Sequence, residues 1–442
     1  MKKLLLFGMA MLFSVAVLAA CGGGDATESD SPASEAPASE APATEVPETE
    51  EPGDYTSDLA GTITMWLDND AYADALIAAL NERFPNATFE YSFMDGPYTL
   101  DQLRLDGPAG LGADILLFPH DQIPGAINEQ LLLPLGPDIT DAMHERIPPA
   151  AVNSVSHNGQ YFGIPLRMES IALFYNLDLL EAAGLEVPTT WEEIFEAAPE
   201  YNNPATNDFL IRWEAGGAFF NHFALTAFGF ELFGPEHNDP DSVNFNTPEA
   251  IAGLEFFASL RDILPVPYAD LDWDATNGAF VAGEVPLLII GPWSIPHINN
   301  YSDGFNWGVT TIPTIGGVQP RTFSGNHIAA ASSFTDYPDL ARAVLAFMMS
   351  DEALQMVYDN IGVIPALMDG SIIEGLQDDI ALAGIAQQAV HSHPMPTLAE
   401  MDSFWDPANT MFRSVWEGLA TPEEAAANAE EAFEALRALA DQ

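Results

Sequence analysis

The feature that most constrains the fold is a long stretch of uniformly globular composition, from Ser57 to Gln442. At about 385 residues it exceeds what one hydrophobic core usually organises, so we expect two lobes. Cys21 is the only cysteine of the 442-residue chain, and no disulfide can therefore link one part of this stretch to another. The folded part must be stabilised by its apolar cores alone.

The first 20 residues have the pattern of a secretion signal. Lys2 and Lys3 precede a nearly unbroken apolar segment from Leu4 to Ala20, and a charged start, an apolar middle and a small-residue exit are typical of exported proteins. The segment is shorter than the roughly 20 residues that a permanent transmembrane helix needs. We therefore assign residues 1–20 to a signal peptide and treat a retained membrane span as the weaker interpretation.

The signal ends in "LAAC" (residues 18–21), which resembles the lipobox of bacterial lipoproteins. In that motif the cysteine is lipidated on sulfur and the chain is cut before it, which implies that Cys21 is the lipidation site and the first mature residue. Two or three acyl chains, at about 0.8 kcal/mol per buried methylene, hold a protein stably on a membrane. We expect the protein to be exported and lipid-anchored to the outer face of the cytoplasmic membrane.

Residues 21–56 are predicted to be the lipidated cysteine and a disordered tether. "ASEAP", "ASEAP" and "ATEVP" recur at residues 33–47, and no aromatic residue precedes Tyr55 in the segment. Such Pro, Glu, Ser and Ala composition cannot bury enough apolar surface to fold. The tether would let the globular part reach well clear of the membrane.

The charge of the mature chain is extremely negative. Both lysines lie in the signal, which has no acidic residue, so ten arginines remain against 66 acidic side chains, formally −56. Nucleic acid and anionic lipid are poor partners for such a surface, and we expect neither to bind.

Apolar periodicity predicts an α/β fold. "TITMW" (62–66) and "ATFEYSF" (87–93) alternate like strands, and Tyr72, Leu76 and Leu80 recur between them at helical spacing. "ADILLF" (113–118) is a continuous apolar run, as expected of a strand covered on both faces.

The sequence also predicts where three helices begin. Two have the capping-box pattern, and a third places proline at the first helical position; they are Thr190 with Glu193, Thr421 with Glu424, and Thr247 with Pro248. The methionine-containing run "LARAVLAFMMS" (340–350) is predicted to be ordinary helical core.

The residues give no catalytic or metal-binding signature. The chain has no G-x-S-x-G elbow, H-E-x-x-H motif, P-loop or dinucleotide fingerprint. His391 and His393 lie close together, but without a third ligand we interpret them as part of a solvated loop. Paired carboxylates could serve a glycosidase, although with 66 acidic residues any chosen pair carries little information.

Two aromatic segments are more informative. "GPW" (291–293) follows the apolar run "VPLLII" (285–290), and "SFWDPANTMF" (403–412) places Phe404 and Trp405 beside Asp406. The flat face of tryptophan matches the C–H face of a sugar ring, and a neighbouring carboxylate accepts hydrogen bonds from hydroxyls. Buried core tryptophans are the alternative interpretation.

Five segments, taken in order along the folded part, resemble bacterial extracellular solute-binding proteins of ABC importers, and among them the maltose/maltodextrin-binding group. They are "GADILLFPHDQI", "YFGIPLRMESIALFYNLDLL", "NGAFVAGEVPLLIIGPW", "DLARAVLAFMMSDEALQMV" and "FWDPANTMF". Each fragment is weak alone. Together, in the right order and at plausible spacings, they identify the chain as a member of this family.

The resemblance implies a set of ligand-binding residues. Matched position by position, the family's maltose-site carboxylates fall on Asp70, Asp121 and Glu169, and its stacking tryptophans fall on Trp293 and Trp405. Phe118 stands where the family has a further tryptophan, which keeps an aromatic face and loses an indole donor.

Several positions depart from the maltose site. A lysine and two arginines of the family are replaced here by Ala71, Gln122 and Asn409, and Phe219 is the candidate for the place of a tyrosine. We include Gln122, Phe219 and Asn409 as secondary ligand-binding candidates. The loss of three positive groups leaves the sugar class as the expectation and its identity open.

The resemblance implies a two-lobe periplasmic-binding-protein fold with a hinged cleft between the lobes. The expected first lobe comprises residues 57–167 and 313–370, and the second comprises residues 168–312 and 371–442. The implied protein is a monomer without catalytic residues, cofactor or metal, which captures a maltodextrin-like oligosaccharide and delivers it to the membrane subunits of an ABC importer. Another solute such as a monosaccharide or polyol is the alternative, and an anchored glycoside hydrolase is a weaker one.

Overall fold

The structure, a computed structural model, describes residues 58–302 and 304–440. The predicted signal peptide, Cys21 and the tether lie outside the described residues. Among the residues described, no helix combines the length and the apolar character that crossing a membrane requires.

The first part of the chain alternates strands and helices, as the periodicity predicts. Its elements are β1 (Gly61–Leu67), α1 (Asp70–Arg83), β2 (Ala87–Phe93), α2 (Thr99–Asp106), β3 (Ile115–Pro119), α3 (Ile123–Asn128), α4 (Pro137–Arg146), α5 (Pro149–Asn153), β4 (Ser156–His157), β5 (Gln160–Tyr161) and β6 (Ile164–Ser170). β1 pairs in parallel with both β2 and β3. The predicted strand–helix–strand unit and the fully buried run in β3 are confirmed.

The middle part builds a second sheet. Its elements are β7 (Ala172–Asn176), α6 (Leu177–Ala183), α7 (Trp191–Tyr201), β8 (Ile211–Arg212), α8 (Ala218–Thr226), α9 (Pro248–Ser259), α10 (Trp273–Val281), β9 (Leu287–Ile290), α11 (Ile295–Tyr301) and β10 (Trp307–Thr310). The strand order is β10-β7-β9-β8. The predicted capping box of Thr190 and Glu193 begins α7, and Thr247 caps α9.

The last part returns to the first sheet. Its elements are β11 (Thr322–Ala331), α12 (Pro338–Met348), α13 (Asp351–Ile361), β12 (Ile364–Pro365), α14 (Ile380–Ala389), β13 (Ser392–Pro394), α15 (Met401–Trp416) and α16 (Pro422–Ala440). β11 lies antiparallel between β3 and β6, so the first sheet has the order β12-β6-β11-β3-β1-β2, and β13 also pairs with β11. The buried helix α12 confirms the predicted core run.

Buried apolar residues form one large cluster on each sheet. We call the first sheet with its cluster the first lobe; that cluster runs from Ile63 to Leu166 and again from Ile328 to Ile373. We call the second sheet with its clusters the second lobe, which takes in Ile171 to Phe323 and Leu382 to Phe433. This distribution supports the predicted lobe boundaries, which remain a proposal.

Buried polar side chains tie together the segments that cross between the sheets. The Oγ of Ser170, at the end of β6, lies 2.9 Å from Oγ1 of Thr322, at the start of β11. Gln388 of α14 donates to that Oγ1 at 3.2 Å and accepts the backbone N–H of Ile312 at 2.7 Å. The three crossing segments therefore share one hydrogen-bonded junction beneath the candidate site.

Candidate ligand-binding site

The two lobes meet at a hydrogen bond between two predicted site residues, Asp121 and Trp405. Asp121 lies in the short helical turn His120–Gln122 that follows β3, and its side chain is only 3% exposed. Its Oδ2 accepts the indole N–H of Trp405, on the first turns of α15, at 2.9 Å. The structure thus brings together two residues that are 284 positions apart in the sequence.

The second carboxylate oxygen of Asp121 is buried and has no hydrogen-bond partner. Burial raises the pKa of Asp121 to about 6, even though the hydrogen bond from Trp405 lowers it. The neighbouring Gln122 donates to the carbonyl oxygen of Pro97 at 2.9 Å, while its own Oε1 is likewise buried and unpartnered. Unsatisfied buried acceptors are rare in folded proteins and call for an explanation. A ligand that donates hydroxyl hydrogens would satisfy both.

A line of aromatic rings connects the two predicted tryptophans. Trp293, in the turn Pro292–Ser294 after β9, is half-buried and has its ring centroid 6.3 Å from that of Phe219. Phe219 lies 6.3 Å from Phe323, which in turn lies 6.0 Å from Trp405. Phe219 is therefore placed beside the predicted tryptophans, whereas Phe323 was not predicted from the sequence. Phe323 is fully buried and packs between the partly exposed rings of Phe219 and Trp405, while the tryptophans have partly exposed faces of the kind on which sugar rings stack.

Glu169 lies in a compact charged network on the first lobe. Arg167 donates from Nε to Oε1 of Glu169 at 2.6 Å and from both terminal nitrogens to Asp68, at 3.1 and 2.6 Å. His327 of β11 places Nε2 3.1 Å from Oε2 of Glu169. Both oxygens of Glu169 therefore already have a cationic or imidazole partner. Its role as a ligand contact stays a prediction.

His327 completes this network in either protonation state. Its Nδ1 lies 2.9 Å from Nη2 of Arg167 and 3.4 Å from Oδ2 of Asp68, so it accepts from the guanidinium when neutral and donates to Asp68 when protonated. Burial and the charge of Arg167 lower the pKa of His327, but Glu169 and Asp68 raise it to about 9. The Nε2–H donates to Glu169 in both states.

Two predicted residues lie away from this arrangement. Asp70 is exposed at the first position of α1, where it accepts the hydroxyl hydrogen of Tyr91 at 2.7 Å. Phe118 has no exposed surface, because its position in β3 packs the ring into the cluster of the first lobe. Full burial argues against Phe118 as a direct ligand contact, whereas Asp70 stays a prediction. Asp68, two residues earlier than Asp70, is the carboxylate that joins the network of Arg167 and Glu169.

Asn409 has a structural contact that accounts for its position. Its Oδ1 accepts the backbone N–H of Ala218 at 2.8 Å, which satisfies one of the free donors at the N-terminus of α8. Asn409 thus joins α15 to α8, next to the aromatic line. This contact orients the helix that carries Phe219.

Glu214 is a carboxylate near the site that the sequence reasoning missed. It follows β8 in the second lobe, is half-buried, and makes no side-chain hydrogen bond or ion pair within the described part of the chain. Burial, together with repulsion from Asp272 and Asp95, raises the pKa of Glu214 to about 7. Since Asp95 follows β2 in the first lobe, the two lobes face each other here with unpaired acidic groups.

The interpretation of His391 and His393 as a solvated loop is wrong for His393. His393 lies in β13 and is 7% exposed, and its Nε2 is 2.9 Å from Nε2 of His222. Burial and the nearby His237 lower the pKa of His393 to about 3. His393 is therefore a neutral core histidine, because the strand formed by residues 392–394 adds to the edge of the first sheet.

One sequence signal could have identified the charged network. Side chains two residues apart in a strand point to the same face, so "LRMES" places Arg167 and Glu169 side by side. Their meeting with Asp68 and His327 depends on sheet order, which the local pattern does not specify.

Comparison with known proteins agrees with this geometry. The family model described as "Bacterial extracellular solute-binding protein" matches residues 75–383. A "Galactooligosaccharide-binding protein" of Bacillus subtilis is 25% identical over 84% of this chain and 88% of its own length. A "Maltooligosaccharide ABC transporter solute-binding lipoprotein" of Streptococcus pneumoniae is 24% identical over 82% of this chain and 85% of its own length.

A solved structure extends the likeness to three dimensions. The crystal structure of a cyclo/maltodextrin-binding protein complexed with maltotetraose superposes with a TM-score of 0.68 and 28% sequence identity, covering 84% of this chain and 96% of that chain. The predicted α/β two-lobe fold is confirmed. The chain belongs to the bacterial extracellular solute-binding protein family.

Proposed function

We propose that this protein is the lipid-anchored substrate-binding subunit of an ABC sugar importer, and that it captures a maltodextrin-like oligosaccharide between its lobes. The observation that carries the proposal is the pairing of Asp121 with Trp405. It places a buried, unsatisfied carboxylate oxygen beside an aromatic face at the junction of the lobes. Hydroxyl donors next to apolar C–H faces are the chemistry of a sugar.

The polarity of the site supports a neutral polyhydroxy ligand over a sugar phosphate. Phosphate recognition requires free guanidinium, ammonium or helix N-terminal donors. Arg167, the arginine of the charged network, is 3% exposed and bound to two carboxylates. Two carboxylates near the site, Asp121 and Glu214, have no ion pair in the described part of the chain and would repel a phosphate when ionised. Relatives named for maltooligosaccharide and galactooligosaccharide binding support an oligosaccharide, with a monosaccharide or polyol as the alternative.

We propose that Trp293 and Trp405 stack on sugar rings while Asp121 and Glu169 accept hydroxyl hydrogen bonds. Gln122 and Phe219 are proposed as secondary contacts, since they adjoin these residues. Asp70 stays a proposed contact, because its exposed carboxylate is open to a ligand, while Phe118 is left out because it is enclosed in the core.

Calorimetric titration with maltose, maltotriose and galactosyl oligosaccharides tests the proposal. An aromatic contact contributes about 0.5–1.5 kcal/mol beyond the area it buries, so Trp293→Ala and Trp405→Ala should each weaken binding at least tenfold. Trp307→Ala is the matched control, because Trp307 is a half-buried tryptophan of β10 that stacks on Phe174, away from the aromatic line. Equal affinity of all three variants and the wild type would place the site elsewhere.

The same titrations separate binding from catalysis. A binding protein releases the oligosaccharide unchanged, and we expect the recovered sugar to have its original length and reducing-end content. New reducing ends, lost on replacing one carboxylate, would instead establish a glycoside hydrolase.

The membrane anchor requires its own test. We propose that Cys21 carries the acyl chains, that the protein acts as a monomer, and that its closed form docks on the importer's membrane subunits. A relative named as a lipoprotein supports the anchoring. Cys21→Ser should abolish incorporation of labelled fatty acid and release the protein from the membrane fraction; retained label would place the anchor elsewhere.

A further inference from the structure

The charged network is closed on itself, and Arg167 is its centre. The guanidinium uses Nε for Glu169 and both terminal nitrogens for Asp68. Because β6 places Arg167 and Glu169 on one face, the arginine extends along the strand to the carboxylate two residues on. His327 contacts Glu169 from the adjacent strand β11. Each oxygen of Glu169 is thereby fixed by one donor.

Other charged and titratable groups face this network, among them His120 and Asp121 of the turn after β3, which both lie within electrostatic range of His327. Tyr72 of α1 has its buried hydroxyl unpartnered, and both Arg167 and Asp68 act on its ionisation. Asp95, in the loop after β2, lies within electrostatic range of Asp68, His327 and Glu169. Apart from Arg167 and His327, these groups are neutral or acidic. The guanidinium of Arg167 and the imidazole of His327 are therefore the groups that fix the carboxylates of Asp68 and Glu169.

We propose that Arg167, assisted by His327, is a positioning residue that fixes the direction of the Glu169 carboxylate and keeps it available as a hydroxyl acceptor. The inference rests on the proposed function, since the hydroxyl comes from the sugar. The two donors leave the remaining lone pairs of Glu169 free to accept further hydrogen bonds. Because the carboxylate is held by this network, the direction of those lone pairs is fixed before a ligand binds. Pre-organisation of this kind lowers the ordering cost of binding.

The arrangement divides the acceptors of the site into two kinds. Burial raises the pKa of Glu169, but His327 and Arg167 lower it to about 2. Asp121, which accepts the indole N–H of Trp405 and has no ion pair within the described residues, has a pKa of about 6. Glu169 thus stays ionised and accepts hydrogen bonds well below neutral pH, while Asp121 gains a proton in mild acid.

Removing Arg167 should therefore change the pH profile of binding as well as its strength. In Arg167→Gln the burial of Glu169 is opposed mainly by His327, so its pKa rises. We measure the dissociation constant for maltotriose between pH 8 and pH 5. The ratio of the variant's constant to the wild type's should grow by about tenfold per pH unit once Glu169 protonates. Taking this ratio cancels the titration of Asp121, which both proteins share.

Matched variants separate positioning from general damage. Arg167→Lys keeps a charge and should restore a flat ratio with only partial affinity, because a lysine cannot form the same fork. Arg342→Gln removes an arginine of α12 that contacts Asp339 and Pro134 outside the network, and should leave the ratio near one. In a Glu169→Gln background, Arg167→Gln should add no further pH dependence.

A ligand-free readout keeps this proposal distinct from the proposed function. Carboxyl carbon NMR, with Glu169→Gln used for assignment, should show no titration of Glu169 above pH 4 in the wild type and a clear titration in Arg167→Gln. Failure of the wild type to bind maltotriose would overturn the proposed ligand, while the NMR result would still decide the role of Arg167. A ratio that is constant with pH, or an unmoved Glu169 resonance, would overturn the positioning role.

Discussion

Replacing Asp121 by asparagine should make the protein more stable in weak base and worse at binding sugar. Asp121 is ionised above its pKa of about 6, yet one of its oxygens is buried without a partner. Asparagine is nearly isosteric, can still accept the indole N–H of Trp405 through its oxygen, and carries no charge to bury. The substitution therefore removes the cost of ionisation and keeps the contact between the lobes.

The size of this effect follows from the shift in the pKa. The carboxyl titrates near 3.8 in its ordinary state and near 6 in the folded protein, so the folded state binds the proton more tightly. Its stabilising contribution is complete below pH 4 and is lost as the pH rises through 6. At about 1.4 kcal/mol per unit, the wild type loses roughly 3 kcal/mol between pH 4 and pH 8 that the variant retains.

Urea unfolding of both proteins at pH 4.5, 6 and 8 measures this difference. The asparagine amide adds a constant amount by burying an N–H group, so the informative quantity is how the difference changes with pH. Glu169→Gln is the control, since the pKa of Glu169 is lowered to about 2. Its destabilisation should already be nearly complete at pH 4.5 and should stay level up to pH 8.

A difference between Asp121→Asn and wild type that does not change with pH would refute the reasoning. It would mean that water or a conformational change solvates Asp121 in solution. A shift of the expected sign together with unchanged sugar affinity would support the electrostatics but remove Asp121 from the site.

Two further predictions concern the whole fold. His393 is neutral when buried and has a pKa of about 3. Its burial therefore costs no folding stability above pH 6.5, and the protein loses stability as the pH falls because the unfolded chain binds the proton first. His393→Gln should therefore lose less stability than wild type on going from pH 7 to pH 4.5, by about 3 kcal/mol in urea unfolding; parallel curves would contradict this. At a formal charge of −56 the mature chain repels itself, and its melting temperature should rise between low and molar salt, where the Debye length falls to about 3 Å. A flat or falling temperature in that titration would show that repulsion is unimportant.

The parts of the fold that could be predicted from sequence are those with local causes. The capping boxes at Thr190 and Thr421 were legible because the hydroxyl and the glutamate that satisfy the first backbone N–H groups lie three residues apart. The strand β3 could be predicted because both of its faces are buried, which requires a continuous run of apolar residues. That same coverage explains the error at Phe118, since a strand that is apolar on both faces does not indicate which side chain would face a ligand.

The candidate site was accessible only through family resemblance, because its residues meet from distant parts of the chain. Resemblance identified Asp121 and Trp405, which the structure joins. It could not show that Glu169 already has Arg167 and His327 as partners. Matching positions to a family identifies equivalent residues but does not show which side chains surround them in this chain. Nor did the resemblance point to Asp68. The chain leaves β1 at Leu67, and the first carboxylate beyond the strand, Asp68, is the one that turns to Arg167.

The scarcity of positive charge explains how the acidic groups around the site divide. Asp68 and Glu169, which have Arg167 between them, have lowered pKa values in spite of burial. Burial raises the pKa of the four other carboxyls, and only one of them has an arginine nearby; they are Asp95, Asp121, Glu214 and Asp402. With ten arginines for 66 acidic side chains, the chain places one of its most buried cations between Asp68 and Glu169 and leaves three of the other four carboxyls without an arginine. Such acceptors gain hydrogen bonds from water or from a ligand rich in donors, and this favours the proposed oligosaccharide over an anion.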